Sequence, residues 1–348
     1  MPVKTLVTIG IPIYKRLEYL PNVLTVLSKQ DYPHIEILVS DNGLNGDVVP
    51  KIVEKHYRKP YRFRQNVTSV SGSEHYNQLI REAGGEYVVI LADDDELSPN
   101  FVSELLKLSK RYPEASAVFG AEEVIDPDGK VLRCTSRNVP EILSGEDFIR
   151  STFHTRKYGY KSLCTFLAKR EKLLSCGGFP DIWAATSDED LLMVKLSLGH
   201  SVAFSTRCSF RKRLYQASGG YAIHLSDLAR GTKEYLACLD TDPFILKYAA
   251  SHASKWEEMR GYLIESAWAT YYIRWEHMYR ERLTTTQWIR AGLALPFPRY
   301  LNVFVSVLAR ACKLAALQQV QRSSPKGYTL YRSLKTRLMN KKSSEHHL

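Results

Sequence analysis

Two rhythms of apolar and polar positions alternate along the first two hundred residues. Short, largely apolar runs at Thr5–Ile13, His34–Ser40, Tyr87–Leu91 and Ala117–Val124 predict strands, and the more polar Tyr61–Val67 a short one. Between them, apolar residues recur at helical spacing. Leu20, Val23, Leu24 and Leu27 mark a helix within Leu17–Gln30, followed by helices over Val48–Tyr57, Glu74–Ala83 and Pro99–Lys110. Gly84-Gly85 reads as the C-cap of the third. Asp126–Gly129 is a turn, Cys176–Pro180 a tight loop, and Thr186–Asp190 a polar, acidic start to a helix over Leu191–Leu198. Ser201–Ser205 returns as a strand, and from Phe210 the pattern turns helical and rich in aromatics. Strand–helix alternation of this kind predicts an α/β fold with a mostly parallel central sheet, plus a C-terminal mainly helical extension. Ligands of such sheets collect at the carboxyl ends of the strands.

Composition adds a division. The formal net charge is +11, yet residues 1–208 hold 26 Lys+Arg against 27 Asp+Glu, while residues 209–348 hold 22 against 10. The excess therefore lies wholly in the second part. Two domains follow, 1–208 and a basic, aromatic-rich extension 209–348, whose charge suits an anionic surface or phosphates. Leu301–Leu317 is interrupted by Arg310 and Lys313 and reads as an amphipathic helix rather than a span. No signal peptide is visible, no apolar run reaches membrane-spanning length, and the six cysteines are scattered. A reduced, cytoplasmic chain is the expectation.

Chemistry concentrates where the Tyr87–Leu91 run meets Asp93-Asp94-Asp95. Adjacent carboxylates repel, and a divalent cation carrying a diphosphate offsets that cost; Mn²⁺ and Mg²⁺ are the hard ions suited to it. The competing reading is a solvated acidic turn before the next helix. Against it, Tyr14-Lys15-Arg16 and Asp41 also close predicted strands, so separate regions converge on one cleft. His56, His75 and His154 show no ligand spacing. The aromatic helices over 255–280 read as core packing before an acceptor platform.

Taken in order, Pro12-Ile13-Tyr14, Val39–Gly43, Asn77 ahead of Ala83–Tyr87, Asp93–Asp95, Gly177-Gly178-Phe179 and Glu189-Asp190-Leu191 resemble family 2 glycosyltransferases. The resemblance covers residues 5–205 and implies the GT-A nucleotide-binding fold and transfer from a nucleotide sugar with inversion. It implies that Pro12, Tyr14 and Arg16 line the nucleotide pocket and that Asp41 accepts a hydrogen bond from the base. Asp93 and Asp94 would lie beside ribose and diphosphate, with Asp95 the most direct metal ligand. Asp190 would be the general base, with Glu189 and Asp188 as rival carboxylates. The chain departs from the family in lacking a histidine between Phe210 and Tyr215. There Arg211 and Arg213 either stabilise the diphosphate or open the basic tail. The Gln-x-x-Arg-Trp signature of processive synthases is absent, which implies one sugar per encounter.

The leading expectation is thus a metal-dependent transferase moving a sugar, UDP-linked by family default, to a glycan or lipid-linked oligosaccharide in surface polysaccharide synthesis. Residues 289–348 would give peripheral contact with the anionic inner face of the cell membrane, or the extension a homo-oligomer contact. A nucleic-acid-binding protein using the basic region is the alternative of another class, but the cleft is acidic and no such motif is found. A non-catalytic scaffold of the same fold is the third.

Overall fold

A computed structural model describes residues 5–134, 138–158, 166–183, 187–215 and 225–282, with side chains throughout except at 225, 269 and 272–282. The alternating part runs β1 (Val7–Ile13), α1 (Leu20–Ser28), β2 (Ile35–Asp41), α2 (Val48–His56), β3 (Arg62–Gln65), α3 (Gly72–Glu82) and β4 (Tyr87–Ile90). Next come β5 (Glu96–Leu97), α4 (Phe101–Arg111), β6 (Ala115–Ile125), β7 (Val131–Cys134), β8 (Ile142–Ser144) and α5 (Gly145–Ile149). A π-helical turn, Arg150–His154, leads on to β9 (Leu167–Lys169), α6 (Arg170–Ser175), α7 (Asp188–Ser197) and β10 (Ser201–Arg213). Helices α8 (Leu225–Thr241), α9 (Pro243–Ser251) and α10 (Ala253–Arg282) follow.

One sheet takes the order β3-β2-β1-β4-β9-β6-β10-β5, with β7 beside β6 and β8 beside β10. The long ladders β1–β2 and β6–β10 are parallel, as are β1–β4 and β2–β3. Short β9 runs against both β4 and β6, so β6 and β10 keep the direction of β4. The sheet is therefore mostly parallel. Val7, Ile9, Ile11 and Ile13 are fully buried, and so is Thr8 on the other face, as a central strand requires. In α1, Leu20, Val23, Leu24 and Leu27 are the buried face, matching their spacing.

Strand order reverses at β1. From β1 the chain steps outward to β2 and β3, then returns to place β4 on the other side. Pro12 sharpens this point. The β1–β4 ladder ends at Gly10↔Ile90, whereas β1–β2 continues to Ile13↔Asp41. Proline has no N–H to offer where the next bond toward β4 would form, so the chain after β4 peels away there. Asp93–Asp95 leave the sheet at that split.

Gly84-Gly85 is not a left-handed C-cap: neither residue is among those with positive φ. The glycines serve close approach instead. A Cβ on Gly85 would lie 2.6 Å from the Thr8 backbone nitrogen, and the Gly85 N–H donates to Thr8 Oγ1 at 2.8 Å.

The chain divides into two compact units, Met1–Trp268 and Ala269–Leu348. The charge step at 208/209 falls within β10, which pairs with β6 as far as Arg213↔Ile125. Tyr235, Leu239, Ile245, Trp256, Met259 and Leu263 share a core with Phe119, Phe148 and Leu191. Trp256 is thus core, in line with the packing expectation. Segment 289–348, with Leu301–Leu317, lies outside the described residues. Among the described residues, no helix is long and apolar enough to cross a membrane.

Candidate active site

The loop after β1 carries Tyr14, Lys15 and Arg16. Tyr14 is 50% exposed, with the Lys15 ammonium over its ring, while Pro12 is half-buried in the strand below. The backbone carbonyl of Tyr14 accepts from the Asn45 side chain, joining this loop to the one after β2. Gly43 makes that junction fit, because a Cβ there would meet the Tyr14 carbonyl oxygen at 1.6 Å.

Asp41 ends β2 and is fully buried. Its carboxylate accepts from Gly43 N–H (2.8 Å), Asn45 N–H (2.7 Å), Asn45 Nδ2 (2.8 Å) and Gln65 Nε2 (2.7 Å). Four donors match the capacity of a carboxylate, so its strongest structural effect is to shape the 43–45 turn. Asn42 does the same one residue on. It donates to the Val70 carbonyl and accepts from Val70 N–H and Asn66 Nδ2, fixing the path into α3. Ser71 then caps that helix by accepting from Glu74 N–H.

The three aspartates are not a solvated turn: Asp93 is 7% and Asp95 5% exposed. Burial, then the neighbouring Asp94, push the Asp93 carboxyl up to about 7, against the pull of Arg16. Burial and Asp94 also hold Asp95 well above the carboxylate range, while the Arg213 N–H, donating at 2.8 Å, opposes them. Arg16 Nη1 lies 3.5 Å from Asp94 Oδ2, and Nη2 lies 4.0 Å from Asp93 Oδ1. The Tyr215 hydroxyl donates to the same Asp94 oxygen at 2.7 Å and accepts from Arg16. Tyr215, just past β10, was given no role by the sequence reading. Its place beyond the carboxyl end of a strand parallel to β4 was the available signal.

Neither Arg211 nor Arg213 opens a tail. Both belong to β10, and Arg211 pairs with Glu123 at 2.9 Å. The Arg213 side chain is fully buried, and its guanidinium donates to the carbonyls of Asp94, Asp126 and Pro127 and to Glu96. With its donors so committed, it braces the acidic cluster from beneath and does not reach a diphosphate.

The second acidic run opens α7 behind Ser187, which sits at φ 100. Asp188 is 1% exposed, accepting from Ser73 Oγ at 2.8 Å and from Glu189 N–H at 2.9 Å. Burial raises its carboxyl to about 6 despite those two bonds. Glu189 and Asp190 are half-buried, and Asp190 acts electrostatically on Tyr235 of α8. Ser73 belongs to α3, whose start is tied through Val70 to Asn42. Both acidic runs therefore stand on the rim at the carboxyl ends of the strands. The loop before α7 is fixed by Asn77, which donates to the Phe179 carbonyl and accepts its N–H, each at 2.8 Å. His75 is core, bonded to Ser40 Oγ and lowered to about 4 by burial.

Residues 8–174 match the family described as glycosyl transferase family 2. Over 130 residues the chain is 30% identical to an uncharacterized glycosyltransferase of Rickettsia conorii, covering 37% of this chain and 21% of that one. Over 150 residues it is 30% identical to GalNAc(5)-diNAcBac-PP-undecaprenol beta-1,3-glucosyltransferase of Campylobacter jejuni, covering 41% and 47% respectively. The chain thus spans less than half the length of either relative. Among solved structures, S. aureus TarS 1-349 in complex with UDP-GlcNAc superimposes with a TM-score of 0.62 at 14% identity, covering 82% of this chain and 80% of that one. That likeness shows the fold, which is the GT-A type.

Proposed function

We propose, from the match of residues 8–174 to glycosyl transferase family 2, that the chain moves one sugar from a nucleotide-sugar donor to a hydroxyl of a glycan or lipid-linked acceptor. The observation that carries this reading is the buried Asp93–Asp95 cluster at the β1/β4 split, with Arg16 at its mouth. TarS, which shares the fold, is described with UDP-GlcNAc, and this supports a UDP-linked donor. The acceptor class rests on the resemblance to a transferase named for an undecaprenol-linked glycan. Surface polysaccharide synthesis at the inner face of the cell membrane is the setting we propose with it.

Pro12 and Tyr14 line the nucleotide, and Asp41 accepts from the base in exchange for one of its turn donors. Arg16 leaves Asp93 and Asp94 for the diphosphate. The donor set suits a hard divalent cation: it is all oxygen, and burial, then the neighbouring Asp94, pushes the Asp93 and Asp95 carboxyls up. Asp95, with Asp93 and Asp94 beside it, would hold Mn²⁺ or Mg²⁺, which supplies Lewis-acid stabilisation of the departing diphosphate. Across the rim, a carboxylate of the 188–190 run takes the proton of the attacking hydroxyl. From the sequence that role falls to Asp190, with Glu189 and Asp188 as rival carboxylates. Asp188 stays a rival through its raised carboxyl and its bond to Ser73, while Glu189 and Asp190 are the more accessible of the three. Attack from the face opposite the leaving group gives inversion, as in inverting hydrolases.

A thermal-shift screen of nucleoside diphosphates with Mn²⁺ tests the reading, since a ligand of the native state raises Tm. UDP with Mn²⁺ should raise it in the wild type and fail to do so in Asp95→Ala. An equal shift in both proteins would remove the acidic cluster from the donor site.

A further inference from the structure

We propose that Trp183 is a stacking surface for a neutral sugar ring of the acceptor, an inference that rests on the transferase reading above. Trp256 and Trp268 are each 4% exposed and belong to the interior, whereas Trp183 is 44% exposed. A large aromatic left at the surface is usually mobile, but this one is held. Its backbone N–H donates to Glu234 Oε2 at 2.7 Å, and its indole Nε1 donates to Asp227 Oδ1 at 2.9 Å. The Arg230 guanidinium lies 3.7 Å from the ring centroid and itself donates to Glu234 at 2.8 Å. Asp227 and Arg230 thus fix the plane of the ring, the guanidinium on one of its faces, and Glu234 anchors its backbone. Such preorganisation lowers the ordering cost of binding at that surface.

Its chain position is close to the acids of α7: four residues lie between Trp183 and Asp188, a reach of at most about 18 Å. Asp181, two residues earlier and exposed, acts electrostatically on Asp188. Asp190 acts on Tyr235, the neighbour of Glu234 on α8. The same helix therefore holds the indole and flanks the acidic run.

The apolar C–H face of a pyranose packs on an aromatic face, and its hydroxyls donate to carboxylates. Here the carboxylates are Asp181 and Asp227 with Glu189 and Asp190, and Arg230 is already paired with Glu234. That field opposes a phosphate or a uronate and accepts a neutral sugar.

The indole N–H resonances of the full-length, ¹⁵N-labelled chain test this, with W183F identifying the Trp183 signal by its loss. Methyl glycosides of glucose, galactose and N-acetylglucosamine are titrated in turn, with glucuronate as the anionic arm. At least one neutral glycoside should move the Trp183 signal at concentrations where glucuronate does not. Trp183→Leu should weaken that sugar about five- to tenfold, the value of an aromatic contact, while W183F stays within about twofold. No movement with any neutral glycoside, or wild-type affinity in Trp183→Leu, overturns the proposal. UDP with Mn²⁺ should shift Tm equally in all three proteins. If it shifts none of them, the transferase reading itself has failed, whereas a nucleotide shift without a Trp183 response condemns the sugar subsite alone.

Discussion

Asp188 and Asp190 stand two residues apart in environments that set them different tasks. If Asp188 takes the acceptor proton, Asp188→Asn should lower kcat by about 10²- to 10⁴-fold and leave the UDP-dependent Tm shift intact. Asp190→Asn should then cost far less, and the reverse result would restore Asp190 to the role. Asp188 also leaves a mark on stability. Its folded carboxyl, at about 6, lies above the unfolded value of about 3.9, so the native state binds more protons between those values. Its contribution is greatest below about pH 4 and declines as pH rises to about 6. Denaturant midpoints across pH 4–7 should show that decline in the wild type and a shallower one in Asp188→Asn. Tyr215→Phe removes a hydroxyl from Asp94 and should lower stability by about 1–2 kcal/mol in the same measurement. The sequence displayed the three aspartates, because a triple charge after an apolar run is visible without coordinates. It hid Ser73 and Tyr215, because single hydroxyls gain meaning only from what folding sets beside them.

At the scale of elements, the residue pattern predicted β1 to β4 and the helices between them; all but β3, whose four residues stay partly or fully exposed, bury an apolar face. The capping device at Gly84-Gly85 was misjudged for a physical reason: glycine answers two needs, left-handed backbone and close approach, and the local pattern does not separate them. Gly177 and Gly178 do use positive φ, at 81° and 66°. A Cβ on Gly178 would lie 2.2 Å from Asn77 Oδ1. Gly178→Ala should therefore cost upwards of about 2 kcal/mol, combining backbone strain with displacement of Asn77. Asn77→Ala should cost about 2 kcal/mol by leaving the Phe179 amide and carbonyl without their partner. Both are read as a lower urea midpoint at unchanged m-value.

For the whole molecule, net charge and core continuity mark different borders. The charge step at 208/209 is a sum over side chains, many of them at the surface. The apolar residues Leu239, Ile245 and Leu263 beyond it are fully buried in the core that also holds Phe119. A chain ending at residue 208 loses the last five residues of β10 together with those side chains. It should be recovered aggregated, while the full chain is soluble, as judged by fractionation after expression and by circular dichroism. A soluble, cooperatively melting 1–208 fragment would show that the core closes without them.

Arg213 ties a surface turn to the acids at the crevice. Its guanidinium grips the carbonyls of Asp126 and Pro127, and its own N–H holds Asp95. The exposed loop between β6 and β7 is thus the outer end of a strut whose inner end is the Asp95 carboxylate. If the proposed cation sits at Asp95, proteins of this architecture that differ only in that hairpin tip should differ in their affinity for it, with every crevice side chain unaltered.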